Sequence, residues 1–232
     1  MNHLPSIRGA SLSGLFLAAA LLATPVTGWS QVALTEKSHR ELAATHGLVI
    51  LQVDWGRYWN CDRFENAQLQ KLVFRRLDVD AGTSSHKDWV LSPLSTLFTK
   101  SKFEPYAVYL DPGQYALSSF RFKVAGSVRD VRVAEPGPSD LIVDGKPVAG
   151  SFTVAAGEVV YIGHFGVDCA GEPTPWRYYI DGAEEFADYV DGFRKEHPFM
   201  KDAPVTFRLF ETSTLGQPYT LPNSVPAANP QP

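Results

Sequence analysis

The sequence predicts a mainly β protein, an antiparallel β-sandwich that carries one amphipathic helix near its C-terminus. A short glycine turn occurs twice inside runs of aromatic and β-branched residues, in segments 106–117 and 152–162. Such runs favour strands, and proline or glycine between them reverses the chain. A single strong helical pattern, residues 181–196, follows the strand-rich part of the sequence.

The strand signals can be followed in order along the chain. Gly47 to Asp54 is an apolar run that fits a strand buried on both faces. Residues 55–64 indicate an aromatic loop or hairpin, and residues 69–80 a further strand. The turn Asp111-Pro112-Gly113 predicts a hairpin between 106–110 and 114–124.

The second half of the chain has similar signals. Val128 to Val133 alternates valine with charged residues, which is the pattern of a half-buried strand. Asp144-Gly145 is a two-residue hairpin signal. The turn at Gly157 predicts another hairpin, which joins 150–154 to 159–165.

The helix from Asp181 to Glu196 has a start, an apolar face and a stop. Acidic residues lie near its start, where the helix dipole favours them, and Pro198 ends it. Its apolar face comprises Phe186, Tyr189, Val190 and Phe193. A shorter helix is possible within 35–45, with a capping box between Ser38 and Glu41.

The first 30 residues have the order of a secretory signal peptide. Arg8 precedes an apolar stretch of about 12 residues, Leu12 to Ala23, shorter than the ~20 that span a bilayer. Small residues allow cleavage after Gly28 or after Ser30. The alternative is an uncleaved membrane anchor. The absence of any Asn-x-Ser/Thr sequon favours a bacterial periplasmic or secreted protein.

The mature chain is expected to form a single sandwich domain over 31–211, followed by a disordered, proline-rich tail over 212–232. The formal net charge of −4 and the mixed charge signs argue against nucleic-acid binding. No long apolar segment follows the signal, so no transmembrane segment is expected in the mature chain.

The two cysteines, Cys61 and Cys169, are predicted to form a disulfide because the compartment is oxidising and their number is even. The loop that such a bond closes is worth about 4–5 kcal/mol in the chain-entropy model. The competing interpretation is a reactive Cys169 near His164 and Asp168.

The segment Leu110-Asp111-Pro112-Gly113-Gln114-Tyr115-Ala116-Leu117 resembles the Pro-Gly-x-Tyr-x-Leu edge of prealbumin-like (transthyretin-like) β-sandwich modules. The chain also resembles small bacterial envelope proteins of unknown function that carry such a hairpin before a Gly-Glu-x-x-Tyr-Ile-Gly strand, here 157–163. The resemblance covers about Tyr106 to Phe165. It implies a β-sandwich with a binding or structural role, and it carries no catalytic residues.

Two groups of residues are candidate sites. Trp55, Tyr58 and Trp59 are a possible stacking platform for a sugar or a peptide, and packing inside the fold is the alternative. His164 and Asp168 are a possible hydrolytic pair. No nucleophile elbow, nucleotide loop or zinc spacing occurs, so no cofactor and no metal site are predicted.

The sequence therefore favours an exported bacterial cell-envelope protein with a non-enzymatic binding, structural or accessory role. Its expected partner is an envelope protein or polymer. The alternatives are a secreted hydrolase that uses His164 and Asp168, and a carbohydrate- or peptide-binding module that uses Trp55, Tyr58 and Trp59.

Overall fold

The computed structural model describes residues 31–78, 88–93, 102–169, 173–178, 180–212 and 215. The predicted signal peptide and nearly all of the predicted tail lie outside these residues. The strands of the described part are β1 (Val32–Ala33), β2 (Gly47–Asp54), β3 (Arg57–Cys61), β4 (Phe64–Arg76), β5 (Trp89–Leu91), β6 (Phe103–Leu110), β7 (Gly113–Ser127), β8 (Asp130–Ala134), β9 (Ile142–Val143), β10 (Lys146–Pro147), β11 (Ser151–Val154), β12 (Val159–Asp168), β13 (Thr174–Tyr178) and β14 (Thr206–Phe207). The helices are α1 (Glu36–Leu42), α2 (Pro138–Leu141) and α3 (Gly182–Glu196), with a 3-10 turn at Pro198–Met200.

The first large sheet, sheet A, has the strand order β1-β6-β2-β12-β13, and β14 also pairs with β12. Strand β12 runs parallel to both β2 and β14, whereas the other pairs are antiparallel. The protein is therefore mainly β, as predicted, with antiparallel and mixed sheets; the predicted antiparallel pairing does not hold for β12 with β2 and β14. The chain passes through all of the second large sheet between β2 and β12, so no turn forces the two strands to run in opposite directions.

The second large sheet, sheet B, is antiparallel and has the order β11-β7-β4-β3. Strands β4 and β7 form its centre, paired from Asn66 with Ala125 to Arg76 with Tyr115. Strand β5 adds to β4, and β8 adds to β7. Because β4 occupies one side of β7 and β8 the other, β3 and β8 lie on opposite edges of the sheet.

The two predicted glycine-turn hairpins are not hairpins. Strand β6 ends in sheet A and β7 begins in sheet B, so Asp111 and Pro112 carry the chain from one sheet to the other. Residues 155–158 make the same kind of crossing, from β11 in sheet B to β12 in sheet A. Both predicted turns are present, but a turn determines only that the chain changes direction and not which strands then pair. The two strands that flank each turn pair with other strands, in different sheets.

One hydrophobic core is shared by the two sheets. Phe74 of sheet B packs edge-on against Phe165 of sheet A, with 5.8 Å between ring centroids, and also against Phe210. A second core lies on the other face of sheet A, where Leu48, Ile50 and Tyr161 contact the helical segments. Sheet A is therefore covered on both faces, which explains why Gly47 to Asp54 is almost uninterruptedly apolar.

Helix α3 packs as its pattern predicts. Val190 and Phe193 are buried, and Phe186 and Tyr189 pack against the second core. Helix α1 also forms, but its capping box joins Thr35 to Ser38, so the predicted Ser38–Glu41 box is wrong. Thr35 precedes the first helical turn and its hydroxyl accepts the Ser38 N–H, which is the N-cap position.

Two shorter elements complete the description. The Asp144-Gly145 signal is confirmed, since β9 and β10 pair across it and both residues have positive φ. The predicted strand at 128–133 forms as β8, but all five of its residues are exposed rather than half-buried. No helix in the described part of the chain is long and apolar enough to span a bilayer.

Candidate functional site

Trp55 is a buried structural residue. Only 3% of its surface is exposed. Its indole Nε1 donates a hydrogen bond to the Tyr106 hydroxyl at 2.8 Å, and its carbonyl accepts one from Gln68 Nε2 at 2.9 Å. Because its ring and its polar atoms are engaged inside the protein, Trp55 cannot serve in the predicted stacking platform.

Burial also changes the acidity of its partner. Desolvation raises the pKa of Tyr106 to about 12, so its hydroxyl keeps its proton at neutral pH. That hydroxyl donates to Glu104 at 3.2 Å while it accepts from Trp55. This chain of hydrogen bonds fixes the indole relative to β6 and closes the core next to β3.

Tyr58 is half-buried and holds β3 against the rest of the protein. Its hydroxyl donates to Asp54 Oδ2 at 3.0 Å, and its ring packs against the shared core. The other carboxylate oxygen of Asp54 accepts the backbone N–H groups of Gly56 at 2.7 Å and Lys102 at 3.2 Å. Asp54 is only 2% exposed, so this carboxylate organises the link between β2 and β3 from inside the fold.

Trp59 is the exposed member of the three aromatic residues, with 55% of its surface accessible. The Arg57 guanidinium lies over the indole, 5.3 Å from the ring centroid. Arg57 Nε is itself buried and has no hydrogen-bond acceptor among the described residues. We call Arg57, Trp59 and Asn60 the β3 surface.

The backbone around Asn60 explains how Trp59 becomes exposed. Side chains alternate along a strand, which would place residues 59 and 61 on the same face. Asn60 has a φ of 55° and Asp62 one of 51°, conformations that asparagine and aspartate adopt more readily than most residues. This irregularity interrupts the alternation, so that Cys61 is buried while Trp59 faces outward.

Cys61 anchors the end of β3. It is bonded to Cys169, which follows β12, and the two Cα atoms are 4.8 Å apart. The pairing agrees with the prediction of a disulfide, and neither cysteine is free to act as a nucleophile. The bond ties an edge of sheet B to the end of a central strand of sheet A. The β3 surface is therefore held at one end by Asp54 and at the other by the disulfide.

His164 lies among aromatic rings. Its ring centroid is 5.1 Å from that of Phe103, 5.4 Å from that of Tyr161 and 5.5 Å from that of Tyr189. Its Nε2 is buried without a hydrogen-bond partner in the described part of the chain. Burial lowers its pKa to about 4 from an ordinary 6.5. A histidine with this pKa is a weak base at neutral pH.

The structure does not bring His164 and Asp168 together. They are four residues apart on β12, which separates their Cα atoms by about 13 Å at the usual rise of a strand. Asp168 lies opposite Thr174 and His164 opposite Tyr178 in the register with β13. The two residues are thus at different levels of the sheet and cannot act on one proton.

His46, which no sequence motif singles out, does contact a carboxylate. His46 Nε2 is 3.4 Å from Asp111 Oδ1, and Thr45 Oγ1 is 2.8 Å from His46 Nδ1. Asp111 also lies 3.9 Å from Arg76, and Gly157 donates its N–H to the His46 carbonyl. These contacts join the two connections between the sheets, which gives His46 a structural role. No sequence signal linked residues 46 and 111, because their contact depends on the crossing of the chain.

Among the described residues, no group of three or more histidine, cysteine or acidic side chains is placed to hold a metal ion. The comparisons with known proteins found no matching family model, curated protein or solved structure for this chain.

Proposed function

We propose that this chain is an exported bacterial cell-envelope protein that binds a partner without catalysis, and that the β3 surface is its binding site. The observation that carries the proposal is the exposed indole of Trp59 with the Arg57 guanidinium stacked on it at 5.3 Å. Tryptophan and arginine are the residue types that most often dominate binding energy at interfaces. Here both are presented on a strand whose ends are fixed.

The partner that suits this surface best is an extended peptide segment. Strand β3 pairs with β4 alone among the described strands, so its outer edge is available for backbone hydrogen bonds. A peptide that adds to such an edge gains main-chain hydrogen bonds, and its alternate side chains contact the flanking residues. An apolar side chain would pack on Trp59, and the positive charge of the Arg57 guanidinium beside it would favour an acidic or carbonyl group on the peptide.

Rigidity of the support favours binding over a purely structural role. The Asp54 carboxylate holds the start of β3 through Gly56 and Tyr58, and the Cys61–Cys169 bond holds its end. A preformed site loses little conformational freedom when a ligand docks, which leaves more of the contact energy for affinity. No catalytic role is assigned to His164, because strand spacing separates it from Asp168.

The localisation rests on two observations. The sequence of residues 1–30 has the order of a signal peptide, and the disulfide suits an oxidising compartment. We assign the mature chain to the periplasm or the extracellular space of a bacterium. N-terminal sequencing of exported material is expected to begin at Trp29 or Gln31.

For the fold, we propose that sheets A and B stack face to face as a β-sandwich of the prealbumin-like type, with the second core and α3 on the outer face of sheet A. The shared core supports this arrangement, since Phe74 of one sheet contacts Phe165 of the other.

The test is photo-crosslinking in the source bacterium. A photoreactive amino acid is placed at Glu65, an exposed residue on β4 next to the pairing of Trp59 with Asn66, with and without Trp59→Ala. We expect a discrete adduct at position 65 that the Trp59→Ala change reduces by about tenfold or more, the loss typical of an interface hot spot. The same probe at Val90, an exposed residue of β5, is the matched control.

The chemistry of the adduct decides its class. If a protease degrades the crosslinked ligand, the ligand is a peptide, as proposed. If a glycan hydrolase removes the mass added by crosslinking, the ligand is a carbohydrate and the carbohydrate-binding alternative holds. Equal crosslinking at 65 and 90, or an adduct that does not depend on Trp59, would contradict the proposal.

A further inference from the structure

Strand β8 is an edge strand that the fold leaves uncovered on both faces. All five of its residues are exposed, including Val131 at 47% and Val133 at 48%. The strand pairs with β7 alone among the described strands, so its outer edge meets no other described strand. Open edges that carry apolar residues promote pairing with another chain, and proteins usually protect them.

The charges of β8 are arranged symmetrically about one residue. Asp130 and Arg132 flank Val131, and within the chain the Arg132 guanidinium contacts the Asp130 carboxylate at 3.1 Å. Both side chains lie on one face of the strand, and Val131 lies on the other. A strand with this pattern is complementary to an antiparallel copy of itself.

We propose that β8 pairs with β8 of a second copy of this chain, antiparallel and with the two-fold axis at Val131. In this register Asp130 faces Arg132 of the second copy, Arg132 faces its Asp130, and the two Val131 side chains meet. Oppositely charged residues directly across an antiparallel pair stabilise it, as do pairs of β-branched residues. A two-fold interface is the commonest form of self-association.

The neighbouring registers lack this complementarity. An axis at Arg132 places the two Arg132 side chains opposite each other, which is repulsive. An axis at Asp130 places the two Asp130 carboxylates opposite each other, which is also repulsive. Charge complementarity therefore selects the axis at Val131.

The pairing leaves the proposed binding site free. Strands β3 and β8 occupy opposite edges of sheet B, so a dimer through β8 keeps both β3 surfaces exposed. The dimer would present two copies of that surface to an envelope partner with repeated sites, where linked binding events strengthen each other. The inference concerns a different edge from the proposed function and does not depend on it.

The first experiment is disulfide trapping in the otherwise native mature chain, whose own cysteines are bonded to each other. In the proposed register the two Val131 residues face each other, so Val131→Cys is expected to crosslink on oxidation. The Val133→Cys change is expected not to crosslink, because the two copies of residue 133 are about 13 Å apart along the strands.

The second experiment is sedimentation equilibrium across a range of protein concentration. Asp130→Arg turns two attractive contacts into repulsive ones and is expected to weaken association by about tenfold. The exchange Asp130→Arg/Arg132→Asp restores both contacts and is expected to restore association. Val90→Lys, a change of similar exposure on the opposite edge of the sheet, is expected to leave association unchanged.

These outcomes separate the proposal from nonspecific contact. Crosslinking of Val133→Cys as efficient as that of Val131→Cys would overturn the register. A chain that stays monomeric at every concentration, or an exchange variant that fails to restore association, would overturn the interface. Far-UV circular dichroism checks that each variant keeps its fold, which is expected because all the changed residues are exposed.

Discussion

His164 shows how burial determines the behaviour of a single residue. The rings of Phe103, Tyr161 and Tyr189 replace the water that would solvate a charged imidazole, so its pKa falls to about 4. In the unfolded chain the pKa is near 6.5, so between pH 6.5 and 4 the unfolded state binds more protons. The stability that depends on an uncharged His164 is therefore fully present above pH 6.5 and is lost as the pH falls from 6.5 to 4.

We expect this residue to cost the protein up to about 3 kcal/mol of unfolding free energy between pH 7 and pH 4, since each pKa unit is worth about 1.4 kcal/mol. His164→Phe removes the titrating group and keeps an aromatic ring. Urea unfolding at pH 7, 5.5 and 4 is expected to show a smaller loss of stability in the variant. An identical loss in both proteins would mean that folding does not lower the pKa of His164.

The three aromatic residues near Cys61 show what a sequence can predict at this scale and what it cannot. Their grouping predicted a site, and in the structure Trp59 is exposed, Tyr58 half-buried and Trp55 buried. Which of the three is exposed was not predictable from the sequence. Trp55 is buried because its indole N–H and its carbonyl form hydrogen bonds with Tyr106 and Gln68, which are distant in sequence. The exposure of Trp59 depends on the positive φ at Asn60, which turns Trp59 away from the core.

Among the elements, helix α3 was predictable because its signals are local. Its first-turn acids, its apolar face and Pro198 lie within one short segment. The crossing connections at 111–112 and 155–158 were not predictable, because strand pairing is decided by contacts far apart in sequence. Strand β12, for example, pairs with β2, more than 100 residues earlier. Turn chemistry alone could not distinguish a hairpin from a crossing between sheets.

A substitution on the apolar face of α3 measures how much the packing of this helix contributes to stability. Phe193 is buried in the second core, so Phe193→Ala is expected to lower the unfolding free energy by about 3–5 kcal/mol. Lys195→Ala, an exposed change on the same helix, is expected to stay within about 0.5 kcal/mol of the wild type. Urea unfolding of both variants is the measurement, and equal effects would contradict the assigned face.

For the whole molecule, the sequence predicted the mainly β class and the pairing of Cys61 with Cys169, because composition and cysteine number carry that information. The disulfide spans a sequence separation of 108 residues, which the chain-entropy model values at about 4–5 kcal/mol. It also connects the two sheets beside the β3 surface. The mixed pairing in sheet A and the placement of β3 and β8 on opposite sides of sheet B emerge only when the chain is assembled.

The central claim is that an extended peptide adds to the edge of β3. Amide hydrogen exchange of the mature chain tests it most directly, with and without a synthetic peptide that matches the segment crosslinked near Trp59. We expect the peptide to slow exchange at alternate amides within Arg57–Cys61, because those N–H groups gain acceptors. The β8 amides are expected to stay unchanged. Unaltered exchange in β3 at saturating peptide would contradict strand addition.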